Sequence, residues 1–348
     1  MASNKNWVNG MDSLRFILAL IVLLSHVENP YVAALKSSNS LIAKLTAAFL
    51  ANAFNGIAAV IAFFIISGFV VHYPVKDKPL NVRKFLIRRW VRIGIPLIVL
   101  VCFTLYLDKF VLIPIWSLYC ELIYYTIYPF LRSIKLSWTI KLKIAYLIQV
   151  LIILILCQND IKSLIYQRDI NYFATYWQTG ELITWLIGLP VWLLGVVIAE
   201  KIDPLSIKLK NITFTELTLY RLSIFLTSIF LHALKFHFFL SDIIALNIFA
   251  LLIVKWIERE IIYYQTHNSF AMLEYSGKFS YSLYLCHGLC VYFLSHFMEI
   301  SVYNYPIFIV LSLIIAYVIY LLIERPSHKL AQRLARMNFS FNKTSVRF

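Results

Sequence analysis

Along this chain, apolar runs long enough to span a bilayer alternate with short polar connections, most of them basic. Windows of the length a spanning helix needs, about 17–25 residues, fall near 11–30, 48–73, 94–113, 114–131, 143–158, 180–200, 214–238, 240–257, 277–297 and 305–323. The fifth is short and is expected to extend into its flanks. The pattern predicts an all-α polytopic membrane protein of about ten transmembrane helices, with both termini on one side. The longest polar connections, 30–47 and 158–179, are too short to fold alone. The expected organisation is therefore a single transmembrane domain, 11–330, between an N-terminal segment, 1–10, and a basic tail, 331–348.

Composition agrees with the pattern and sharpens it. The chain is 61% hydrophobic and only 14% charged, with a mean hydropathy of +0.77, which excludes a water-soluble fold. Its net charge of +15 does not point to nucleic acid, because the basic residues gather in short runs between apolar stretches. With the N-terminus inside, the cytoplasmic segments collect Arg83, Lys84, Arg88, Arg89 and Arg92, then Arg132 and Lys135, then Lys208 and Lys210, and the tail from Arg325 onward. The opposite side keeps few cations, so the expected orientation is N-in, C-in. Phosphate-bearing ligands and membrane lipid are the expected anionic partners. The first apolar segment lacks a short h-region followed by a small-residue cleavage site and is expected to stay in the chain. The last 25 residues, from Glu324, have the pattern of a basic amphipathic extension lying on the inner leaflet. Five cysteines fall in or beside apolar runs, which argues against a disulfide framework. Cys286, His287 and Cys290 share one helix with no second cluster, and no metal site is expected.

Several polar groups interrupt the apolar runs, and such groups are costly in hydrocarbon unless they face a protein interior or a wet cavity. In MDSLRFILALIVLLSH, Arg15 and His26 are eleven positions apart, close to three helical turns. They lie on one face, roughly 16 Å apart along the axis, with Asp12 one turn before Arg15. The stretch GIAAVIAFFIISGFVVHY carries Ser67 and Gly68, as helices that approach closely do. After it, RKFLIRRWVRIGIP places Arg88, Arg89 and Arg92 before the third apolar run. They read either as a topology-setting charge run or as a guanidinium cluster for phosphates. IWSLYCELIYYTIYP sets Ser117, Glu121, Tyr124 and Tyr125 at helical spacing, with Trp116 beside them. An interfacial aromatic belt accounts for the tyrosines and the tryptophan, but Glu121 needs a partner. SGKFSYSLYLCHGLCVYF aligns Ser280, Tyr284 and His287 on one face, and the tenth run ends in IERP at Glu324.

Taken in order, these segments resemble the acyltransferase-3 family of membrane acyltransferases, which O-acetylate cell-surface carbohydrates. The opening Arg15–His26 helix, AFFIISGFVV, RRWVRIGIP, IWSLYCELIYY, SYSLYLCHG and IERP each resemble a segment of that family. The match extends from about Met11 to Leu330. Two departures, a glycine displaced upstream to Gly56 and a third-helix proline one position late, remove no chemical group. The resemblance is to the stand-alone form, and it implies a protein of the bacterial inner membrane.

The resemblance implies transfer of an acyl group, expected to be acetyl from acetyl-CoA, to a hydroxyl of O-antigen, capsule or exopolysaccharide. Acetyl-CoA enters as a substrate, and no bound cofactor is expected. His26 would act either as general base or as transient acyl carrier. Arg15, Arg89 and Arg92, with Arg88 beside them, would bind donor phosphates. Glu121 would either orient His26 or hold sugar hydroxyls, and Ser67, Trp116, Ser117, Tyr124, Tyr284, His287 and Glu324 would form the acceptor pocket. The competing class is a secondary transporter or flippase for an anionic or glycolipid substrate. It shares the intramembrane charges, but the chain has no two-fold repeat and no matched pair of broken helices.

Overall fold

A computed structural model describes residues 8–107, 115–209 and 212–337. The first seven residues, the 108–114 junction between the third and fourth apolar windows, and tail residues 338–348 lie outside that description. The described residues contain helices and no strand.

Each of the ten windows folds as a helix. They are α1 (Met11–His26), α3 and α4 (Leu41–Asn52, Gly56–His72), α5 (Val82–Tyr106), α6 (Ile115–Ser133) and α7 (Trp138–Leu156). The remainder are α9 (Glu181–Lys208), α10 (Phe214–Phe238), α11 (Asp242–Thr266), α13 (Ser280–Phe297) and α14 (Tyr305–Ile319). Shorter helices α2 (Pro30–Lys36), α8 (Gln158–Tyr166) and α12 (Ala271–Ser276) fill the connections, and α15 (Arg325–Arg336) follows α14 through a π turn at Tyr320–Glu324. Five stretches are long and apolar enough to cross a membrane: Leu41–Val75, Trp138–Leu156, Glu181–Lys208, Phe214–Phe238 and Tyr305–Arg336. A sixth arises if α1 and α2, which meet at a 53° bend, form one broken span. The other four windows are diluted by polar groups: arginines in α5, Tyr and Trp in α6, carboxylates and cations in α11, and Ser, Tyr and His in α13. The chain is a polytopic membrane protein.

Local capping places the helix starts. Asn55, Asn81, Ser137 and Thr213 each accept a backbone N–H of the first turn, satisfying donors that a helix cannot. The cap at Asn81 starts α5 twelve residues before its apolar window. The basic run holding Arg88, Arg89 and Arg92 is therefore helical and not a connection, and Lys and Arg are good helix formers. α1 is capped from a distance: the Glu274 carboxylate accepts from the backbone N–H groups of Gly10 (3.3 Å) and Ser13 (3.2 Å) and from the Ser13 hydroxyl (2.7 Å).

The core is α4 crossed by α9. α4 and the middle of α9 are apolar around their circumference, and most of those two stretches is buried. They meet through glycines: a Cβ on Gly68 would overlap the Trp192 carbonyl, and one on Gly195 would overlap the Ile65 carbonyl. This is the close approach the Ser67–Gly68 pair predicts. Around this pair stand α1, α6, α11 and α13, while α7, α10 and α14 expose most of their apolar surface at the periphery. α15 does not lie free: Ser327, Ala331 and Ala335 form a buried stripe, and the helix runs along α5.

Candidate active site

α1 supplies the axis of the site. Near its start, Arg15 pairs with Asp12 at 3.6 Å, and Gly277 lets the backbone at the α13 end press directly on Asp12. Sixteen residues on from Met11, the helix stops at Val27 and the chain bends. His26 sits at that end and is exposed. Its Nδ1 donates to the Val22 carbonyl at 2.8 Å, because a carbonyl only accepts, and the neutral ring therefore keeps its lone pair on Nε2. His287 of α13 is set in the same way, with Nδ1 donating to the Tyr284 carbonyl at 2.6 Å. The two imidazoles face each other with ring centroids 4.4 Å apart, and His287 is buried. Nothing local in the sequence links these histidines, which are 261 positions apart.

Between α1, α4, α6 and α13 lies a cavity of about 70 Å³, lined among others by Arg15, Ser67, Arg92, Ser117, Glu121 and Tyr284. A polar space of this size holds several waters. On one wall the Glu121 carboxylate accepts from the Ser67 hydroxyl (2.7 Å) and from Tyr125, while the Trp192 indole N–H donates to Ser67 at 3.3 Å. On the other wall Ser117 and Tyr284 share a hydrogen bond of 2.5 Å, and the Tyr284 ring leads on to His287, 6.0 Å away between centroids.

This geometry sorts the residues singled out in the sequence. Arg15, Arg92, Ser67, Ser117, Glu121 and Tyr284 meet at one cavity, and His26 and His287 meet beyond Tyr284. Glu121 does not orient His26: its hydrogen bonds go to Ser67 and Tyr125, whereas those of His26 go to Val22 and Ser25. Trp116 and Tyr124 stand behind the pocket wall, since both pack on Phe64; Trp116 also stacks on Tyr176, and the Tyr124 hydroxyl donates to the Trp185 carbonyl. Glu324 is likewise outside the pocket. Buried at the π turn, it accepts from the backbone N–H and hydroxyl of Ser282 and so anchors the start of α13.

A second cavity, of about 360 Å³, opens beside the first and shares Arg15 and Arg92 with it. Arg88, Arg89 and Arg336 complete its cationic lining. Arg89 lies over the Tyr125 ring at 5.3 Å and near the Phe85 ring at 5.9 Å, aromatic faces that hold a guanidinium without neutralising it. Among the described residues, Arg88, Arg89, Arg92 and Arg336 have no carboxylate within ion-pair distance. Among the described residues only Arg15 of these five guanidinium groups has a carboxylate at ion-pair distance, Asp12, and such a cluster is suited to a polyanion. The contribution of α15 here, Arg336 with His328 and Gln332, was not foreseen. Its signal in the sequence is their i, i+4, i+8 spacing.

Neither the curated proteins nor the solved structures give a match. A family model described as an acyltransferase domain matches residues 8–321, nearly the whole chain and every segment that builds the two cavities except α15. The chain belongs to the acyltransferase-3 family of membrane acyltransferases.

Proposed function

We propose that this protein transfers an acetyl group from acetyl-CoA to a hydroxyl of a cell-surface carbohydrate, such as O-antigen, capsule or exopolysaccharide, in the bacterial inner membrane. In this reading about ten helices cross, with both termini cytoplasmic, so the arginine cavity faces the cytoplasm and His26 lies toward the far side. The observation that carries it is the order of groups along one face of α1. A cationic cavity and a smaller pocket share Arg15 and Arg92, and an imidazole pair stands beyond Tyr284 on the pocket wall. A donor with an anionic head and a reactive thioester at the end of a long arm fits that order.

The chemistry follows from the side chains. The arginines hold the donor phosphates. His26 Nε2 takes the proton of the acceptor hydroxyl as its oxygen attacks the thioester carbonyl carbon. The new C–O bond forms, the C–S bond breaks, and the leaving thiolate receives the proton back from the imidazolium, giving free thiol and ester. The Tyr284 and Ser117 hydroxyls lie between the histidines and the pocket, where they can donate to the developing oxyanion. Glu121 with Ser67 receives the hydroxyls of a sugar. His287 holds His26 by ring contact.

The test compares surface-glycan O-acetylation, by NMR of purified polysaccharide, in a deletion strain complemented with wild type or with His26→Ala. Acetyl signals should return with wild type and stay absent with an inserted His26→Ala protein. Full restoration by His26→Ala would remove it from the chemistry. Purified protein that moves substrate across vesicles without releasing CoA from acetyl-CoA would favour the transporter reading instead.

A further inference from the structure

We propose that α15 is the outer wall of the donor site, and that Arg336 recognises the 3′-phosphate of the donor's nucleotide. This rests on the acyl-CoA reading above and adds a binding role for a segment beyond the matched domain, which ends at residue 321.

The argument begins with how α15 is placed. The π turn at Tyr320–Glu324 lengthens one turn of the helix, and its last residue, Glu324, is fixed on Ser282 of α13. From there α15 runs along the arginine-bearing half of α5, and its small buried residues, Ser327, Ala331 and Ala335, let the two helices approach closely. That contact turns His328, Gln332 and Arg336, one residue per turn, toward the cavity that holds Arg15, Arg88, Arg89 and Arg92. The side-chain nitrogens of His328 and Gln332 sit 3.2 Å apart. Lys329 and Arg333, equally basic and on the same helix, are not among the cavity's lining residues.

A helix that only needed to hold positive charge near a membrane has no use for this selection. Arg336 adds a guanidinium to four already crowded ones, an arrangement that repels itself until an anion enters. The order of bonds in the donor assigns the phosphates. Arg15 and Arg92 line both cavities, so a thioester arm running from the larger to the small pocket passes beside them. The diphosphate at the base of the arm then falls to the α5 arginines of the larger cavity. The remaining phosphate, on the ribose beyond the diphosphate, falls to the opposite wall, which is α15.

The experiment measures equilibrium binding of CoA and of 3′-dephospho-CoA to the full chain in lipid nanodiscs, for wild type, Arg336→Ala, Arg336→Lys and Arg333→Ala. Wild type should prefer CoA. Arg336→Ala should lose about tenfold in CoA affinity, the scale of one charged phosphate contact, while its affinity for the dephospho form stays at the wild-type value. Arg336→Lys should recover part of the loss, and Arg333→Ala should bind as wild type does. Unchanged CoA binding in Arg336→Ala, an equal loss in Arg333→Ala, or no preference for the 3′-phosphate in wild type would each overturn the assignment. If wild type binds CoA with this pattern yet releases no CoA from acetyl-CoA with any glycan, the phosphate assignment stands and the acyl-transfer reading falls.

Discussion

The substitution Gly195→Ala tests whether the α4–α9 crossing sets the pocket. An alanine methyl at 195 would overlap the Ile65 carbonyl oxygen and lie 2.7 Å from the Phe69 amide nitrogen. Both obstacles are backbone and cannot rotate aside, so α4 must retreat by about 1.5 Å to restore ordinary contact. Overpacking of this kind costs about 1–3 kcal/mol, which lowers Tm by a few degrees in a chain this long. The retreat also carries Ser67, which lies between those two positions on α4. Its 2.7 Å contact with Glu121 and its 3.3 Å contact with Trp192 would then pass beyond hydrogen-bonding range. Losing a hydrogen bond to a carboxylate, at about 1.5–3 kcal/mol, should lower turnover about tenfold or more. Gly94→Ala is the control: a Cβ there meets nothing within 4 Å, and replacing glycine inside a helix should leave stability unchanged or slightly improved. Thermal unfolding in detergent and CoA release read the two effects separately. If Gly195→Ala unfolds no earlier than Gly94→Ala and turns over as fast, close approach at this crossing does not hold Ser67 in place.

Three further outcomes follow from the same geometry. Glu121→Gln should reduce kcat by at least about tenfold through loss of a charge-assisted contact and leave the donor KM unchanged, since Glu121 lines the small pocket and not the arginine cavity; a raised donor KM with intact kcat would place it on the wrong substrate. Glu274→Ala removes the acceptor for two backbone N–H groups and one hydroxyl at the start of α1 and should destabilise the protein by about 1–2 kcal/mol, whereas Glu274→Gln, which keeps a carbonyl oxygen there, should cost less; equal Tm values for the two variants would argue against capping from a distance. Raising ionic strength from about 0.1 M to 1 M shortens the screening length from about 10 Å to 3 Å, so the acetyl-CoA KM should rise several-fold, and Arg92→Ala should flatten that dependence; a KM indifferent to salt would contradict donor capture by the guanidinium cluster.

What the sequence made legible was what hydrophobic length and helical spacing encode. Among the described residues the ten windows are helical, and Arg15, on the helix that ends at His26, lines both cavities. Glu121 was expected to need a partner, and Ser67, on a segment expected to approach its neighbours closely, supplies one. Where reading fell short, the cause is specific. The basic run before residue 94 hid its helix because charge lowers hydropathy without lowering helix propensity. The orientation of α15 depends on a π turn, and an added residue in one turn rotates everything after it, so heptad or 3.6-residue counting cannot carry a face across it. The partners of Glu324 and His287 lie 42 and 261 positions away, and no local pattern selects Ser282 or His26 among the polar residues available. Trp116 and Tyr124, which the resemblance placed in the pocket, have large rings that pack behind Phe64.

The two ends of α1 are held in different ways, and the difference suits their partners. At the arginine end the backbone is clamped: Glu274 ties down the first turn, and Gly277 presses on Asp12. A donor with several charges gains most from guanidinium groups that do not need to reorganise when it arrives. At the histidine end the helix stops, the chain bends by 53°, and the last ring is left exposed against a buried one. Had α1 continued straight through Val27, the following turn would have stood over His26, whereas the bend leaves Nε2 open to an approaching hydroxyl. A rigid, cationic end and an open, imidazole end on one helix face would separate the requirements of the two substrates proposed above. In the proposed acyl transfer one substrate would be fixed by electrostatics, and the other would be admitted by shape to an imidazole whose Nδ1 proton is committed to the Val22 carbonyl.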